Sequence, residues 1–196
     1  MNKKNEFTEK SYNKLKSAIN NIDSHILDDI YALSLWFSID EDDPRYPVIS
    51  VSYNTISNYR ENIQRASDEM EAKWNFAFWL QDEIEELGGQ NDEDLKKWFE
   101  TSNYFYSDDE KEMAEEDKEL YDKISDMEDD FCDAFIDEII LNVQQLFANK
   151  IIENKFGKSI PVLVHELEYY DKPVGWTIKS NPKGLVDEFV NWTKFE

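Results

Sequence analysis

Two early stretches alternate between apolar and polar side chains with a period of two, the repeat of a half-buried strand. Between Ile30 and Ile39, residues Tyr31, Leu33, Leu35, Phe37 and Ile39 share one face; Ala32, Ser34 and Ser38 take the other, with Trp36 the interruption. Between Val48 and Tyr53, Ile49, Val51 and Tyr53 oppose Ser50 and Ser52. The intervening segment, Asp40 to Pro47, is polar and turn-rich, so the pair predicts an antiparallel hairpin.

Elsewhere the apolar positions fall three and four apart, the repeat of a helix with one buried face. Leu15, Ala18, Ile19 and Ile22 predict a helix over Thr8 to Ile22, with Thr8 as its N-cap. Thr55 reads as the cap of a second helix reaching Lys73, with Ile56, Tyr59, Ile63, Ala66 and Met70 as its stripe. Trp74, Phe76 and Phe78 then alternate with Asn75 and Ala77, which predicts a third strand. Gly88-Gly89 breaks the chain, and Leu95, Trp98 and Phe99 mark a helix over Asp92 to Ser102.

The longest pattern is Leu120, Ile124, Met127, Phe131, Phe135, Ile139, Val143 and Leu146, a long amphipathic helix reaching Asn154 and ended by Gly157. Ile160 to Tyr169 carries apolar residues on both faces and predicts a central, covered strand. A last helix from Lys183 bears Leu185, Phe189 and Trp192. The expected fold is α+β: a single mixed or mainly antiparallel sheet, flanking helices and one long helix in the second half. No repeat and no Pro- or Ser-rich linker interrupts residues 1–196, so one acidic domain is expected.

Charge changes the picture most. The 196 residues hold 44 acidic and 21 basic side chains, a net charge of −23. Such a field repels nucleic acids and anionic membranes and draws in cationic proteins. Aromatic residues make up 14% of the chain, enough for a packed core despite the charge. The opening MNKKNEFTEK has basic residues with no apolar segment behind them, and no apolar run approaches the ~18 residues of a membrane span. The expected compartment is the cytoplasm.

Templates for chemistry fail in turn. His25 and His165 lack companions at metal-ligand spacing. His165-Glu166-Leu167-Glu168 resembles the opening of a zinc-protease motif but lacks its second histidine, so His165 reads as a hydrogen-bonded sheet residue. With 5 glycines, no phosphate-cradling loop can be assembled. Asp40-Glu41-Asp42-Asp43 lacks the glycine and final glutamate of a calcium loop. Cys132, the single cysteine, reads as a buried thiol. No catalytic residue, cofactor or metal is assigned, and no enzyme activity is expected.

The acids are unevenly spread. Residues 82–137 contain 23 acidic and 5 basic side chains, a net of −18, and residues 107–137 alone contain 15 and 3, a net of −12. Residues 107–119 read as an acidic insertion with little to bury, a frayed helix or a mobile loop. The candidate partner-binding residues are Glu83, Glu85, Glu86, Asp108, Asp109, Glu110, Glu115, Glu116, Asp117, Asp126, Glu128, Asp129 and Asp130. Tyr104 and Tyr106 join them as candidate exposed aromatic anchors.

The strings ALSLWFSI, VISVSYNT, KWNFAFW and IPVLVHELEYYD, followed by Asn181-Pro182, resemble the bacterial domain family of unknown function designated four-three-zero-three. That family stands in a neighbourhood of families resembling immunity proteins of polymorphic toxin systems. The resemblance covers about four-fifths of the chain, in order and texture, and leaves out residues 107–119. It implies an α+β fold and a protein that neutralises a basic cognate toxin, a nuclease being one such toxin. The alternative is an acidic interaction or regulatory subunit binding an endogenous basic protein, and an enzyme of unfamiliar type ranks third.

Overall fold

The structure, a computed structural model, describes residues 2–194. The hairpin forms as the alternation predicts. Strands β1 (Ile30–Ile39) and β2 (Pro47–Thr55) pair antiparallel with Leu35 opposite Val51 and Phe37 opposite Ile49. A slip of one residue would turn every apolar side chain to the wrong face, so burial fixes this register. One position departs from the alternation. The register shifts between Ile30 and Ala32, and this bulge turns Tyr31 away from Leu33 and Leu35. Its ring instead meets Trp74 and Trp79 edge-on at 5.7 Å.

Two more strands complete a four-stranded mixed sheet in the order β3-β2-β1-β4. β3 is Glu85–Gly88, antiparallel to β2, and β4 is Val162–His165, parallel to β1. The third strand predicted over Trp74 to Phe78 does not form. Those residues end helix α3 (Glu69–Trp74) and make a 3₁₀ turn over Phe76–Phe78, because Asn75 caps the turn through the amide of Ala77. The helix predicted from Ile56 to Lys73 is broken: α2 covers only Ile56–Asn62, although Thr55 does cap it through Asn58. Its predicted stripe is half-buried; Asn62, Ala72 and Trp74 are the buried residues of this stretch.

One face of the sheet is covered by α1 (Lys3–Asn21) and α6 (Lys118–Ala148), whose Leu15, Ile19, Phe131, Phe135 and Ile139 are fully buried with Leu33, Leu35 and Val164. α1 begins earlier than the pattern indicates, because Asn2 and not Thr8 accepts the first free amide. Thr8 lies inside the helix and its hydroxyl donates to Glu138 at 2.6 Å, which satisfies a buried carboxylate together with Lys4. The long helix stops short of Asn154. Lys150 adopts a left-handed conformation (φ 56°), and a short α7 (Ile151–Phe156) runs to Gly157. The opposite face packs Ala32 and Leu163 against Trp74, Phe76 and Trp79, and against Phe189 and Trp192 of α9 (Asp187–Trp192).

β4 is the edge of the sheet, not its centre as predicted. Its apolar residues on both faces reflect cover from both sides, which periodicity alone cannot tell from a central position. The edge is closed by an unforeseen helix, α8 (Asp171–Ser180). The Leu33 amide donates to the Pro161 carbonyl, so alternate residues Val162 and Val164 turn their backbone groups outward. The Thr177 hydroxyl donates to the Val164 carbonyl (2.9 Å) and accepts from its amide (3.0 Å). The Asn181 amide group does the same for Val162, at 2.7 and 2.9 Å. Two side chains thus stand where another strand would pair.

Candidate partner-binding surface

The acid-rich stretch owes its shape to caps. Ser107 accepts from the Glu110 amide while the Glu110 carboxylate accepts from the Ser107 amide, and this reciprocal pair starts α5 (Asp108–Ala114). Asp108, Asp109 and Glu110 occupy its first turn, where the helix dipole favours negative charge. Ala114 reaches the core, so residues 107–119 form a packed helix and turn. Asp117 then caps α6 through the amides of Glu119 and Leu120. Helix α4 (Glu93–Glu100) lies beside this unit, with Trp98 and Phe99 each 5.1 Å from Phe131 between ring centres.

Along α6 the inward stripe is apolar and the outward one acidic. Asp122, Asp126, Asp129, Asp130, Asp133 and Asp137 are all exposed. Six of the residues expected to bind a partner instead serve the fold: the caps Glu110 and Asp117 just described, and four more. Tyr106, expected as an exposed anchor, is 2% exposed, because its ring packs on Phe99 and its hydroxyl donates to Glu128 at 2.5 Å. Burial and that bond push the phenol above its ordinary range. Glu128 is correspondingly shielded and also pairs with Lys111. Asp108 pairs with Arg45 at 2.5 Å, and Arg45 is held in turn by Asp43. Tyr104 is half-buried against Phe131 and is no free anchor.

The remaining acids divide by place. Asp109, Glu115 and Glu116, with Glu112, surround the exposed Met113 at the end of α5. Asp126, Asp129 and Asp130 stand on the neighbouring α6. None of these seven carboxylates has an ion pair among the described residues. Glu83, Glu85 and Glu86 lie elsewhere, on and before β3, where partial burial and then Glu83 and Asp40 raise the Glu86 carboxyl. The α5 and α6 acids thus stand on two helices packed against each other, and the β3 acids stand on a different element. Glu112, Asp133 and Asp137 were missed by the residue selection, although the same helical period would have found them.

His165 is fully buried, its Nε2 2.7 Å from the Ser34 hydroxyl and its Nδ1 2.6 Å from the Glu166 carbonyl, as a hydrogen-bonded sheet residue should be. Burial lowers it to about 4, so the ring is neutral at pH 7. Among the described residues no set of three or more His, Cys, Asp or Glu could hold a metal ion, and no helix is long and apolar enough to cross a membrane.

Comparison with protein-family models, with curated proteins and with solved structures finds no match to this chain.

Proposed function

We propose that this protein is an immunity-like inhibitor that binds a basic protein toxin through the carboxylate face of α5 and α6. One observation carries the reading: Asp109, Glu112, Glu115, Glu116, Asp126, Asp129 and Asp130 are exposed and form no ion pair among the described residues, on two helices packed together. A cluster of exposed, unpaired carboxylates destabilises its own fold through repulsion, and a cationic partner relieves that repulsion on docking. The exposed Met113 and Tyr121 beside these acids add apolar area to the contact. A nuclease is one toxin whose cleft, built to grip phosphates, would meet this face with positive charge. The resemblance to families near toxin-immunity proteins supports the same role.

The test is binding to the cationic protein encoded by the neighbouring gene, followed through a salt series. Affinity should fall steeply with ionic strength, mainly through the association rate. Replacing Asp126 and Asp130 with lysine should slow association at least ~10-fold at low salt. Affinity that is the same at low and high salt defeats the electrostatic reading.

A further inference from the structure

A second feature lies where α6, the end of β1 and α8 meet. Phe37 of β1, Ile136 of α6 and Trp176 of α8, all buried, floor a cavity of about 210 Å³. Its rim carries Asp129 and Asp133 from one side and Glu166 from the other, with Tyr170 and Lys172 between them. An apolar aromatic floor under a ring of carboxylates is the composition that recognises a cation on an aliphatic stem.

The chain itself marks the cation position. The Lys172 ammonium pairs with Asp133 at 2.6 Å and lies 5.9 Å from the centre of the Trp176 ring. Its hydrogen bond to Asp133 raises it above the ordinary lysine range, and the charges of Asp133, Asp129 and Glu166 add to that. Yet both partners of this pair are half-exposed, so water competes with it and the lysine can swing away at little cost. Asp129 makes no ion pair among the described residues, and Glu166 accepts a hydrogen bond from the Tyr170 hydroxyl.

We infer that this cavity receives the guanidinium head of an arginine presented by a protein partner, with Lys172 swinging out to admit it. The inference rests on the reading of the protein as a binder of basic proteins. The cavity is smaller than the ~300–1,000 Å³ that engulfs a free drug-sized ligand, which fits one side chain and not a whole small molecule. Exposed Ile39 and Tyr170 at its mouth would then be covered by the partner's surface. Arginine fits better than lysine: its planar guanidinium has donors for more than one of the lining carboxylates Asp129, Asp133 and Glu166 and gains from an aromatic neighbour such as Trp176, whereas an ammonium is a hydrated point charge.

The experiment titrates the full chain with N-acetyl-arginine amide and follows the Trp176 indole N–H by NMR, with the citrulline analogue as neutral isostere. The indole signal should shift saturably with arginine and stay fixed with citrulline. Lys172→Ala should tighten arginine binding about 3-fold or more, and Asp133→Asn with Glu166→Gln should weaken it about 10-fold. An indole signal that ignores arginine, equal response to citrulline, or weaker binding by Lys172→Ala overturns the inference. The two readings separate. A basic partner that binds the Asp133→Asn/Glu166→Gln protein at full affinity overturns the arginine cavity and leaves the α5–α6 face standing. Saturable arginine binding without salt-dependent partner binding does the reverse.

Discussion

The seal on β4 makes a sharp prediction about stability. Thr177 is fully buried and its hydroxyl serves both the amide and the carbonyl of Val164. Thr177→Val keeps the shape of the side chain and replaces that hydroxyl with a methyl. Two buried backbone groups then lose their partners, each at about 1–3 kcal/mol. Some relief comes from adjustment of α8, so the expected loss is about 3 kcal/mol, a large part of the ~5–15 kcal/mol that holds a typical domain together. Thr177→Ser is the control: it retains both hydrogen bonds and deletes one buried methyl, for about 1 kcal/mol. Urea unfolding followed by tryptophan fluorescence measures both, and exchange of the Val164 amide should quicken in the valine variant alone. If Thr177→Val is as stable as Thr177→Ser, the hydroxyl does not seal the edge and the argument fails.

Other residues give further tests. His165 is held near 4 by burial against ~6.5 in an unfolded chain, so the unfolded state takes up a proton first as pH falls; stability from this group is full above about pH 6.5 and drops by up to about 3 kcal/mol toward pH 4. His165→Gln should flatten that part of the stability–pH curve, and an imidazole signal assigned to His165 that titrates near pH 6.5 in the native protein would refute it. Gly88→Ala drives a methyl into the Pro47 carbonyl and to 2.9 Å from the Phe135 ring at a φ of 89°, and should cost more than about 3 kcal/mol in a denaturant melt; a neutral effect would mean this turn can rearrange. Burial pushes the Cys132 thiol up to about 12, so a disulfide reagent at pH 8 should label it only after unfolding, and rapid labelling of the native protein would contradict its placement.

The sequence announces what depends on local periodicity and hides what depends on neighbours. The hairpin, the stripe of α6 and the caps Thr55 and Gly157 are readable because each is specified within a few residues. Tyr31 changes sides through a bulge, which alternation cannot reveal because the extra residue obeys no period. Trp74, Phe76 and Phe78 mimic a strand, since a helix end followed by a 3₁₀ turn also sends large rings to one core. β3 is illegible because it is short and bears Glu85 and Glu86. Tyr106 misleads for a related reason: polar neighbours such as Ser107 predict exposure, yet Phe99 and Glu128 enclose it from distant parts of the chain. The α5–α6 carboxylates, by contrast, follow directly from a helix whose inner stripe is apolar.

The parallel partnership of β1 with β4 also has a consequence for how the chain matures. Ser34 and His165, bonded to each other across those strands, lie 131 positions apart. A ribosome adding ~5–20 residues per second therefore releases β1 many seconds before the strand that completes its hydrogen bonding exists. During that interval one flank of the hairpin is open to any extended peptide, and the crowd of negative charge emerging behind it keeps nascent neighbours apart until the last strand arrives.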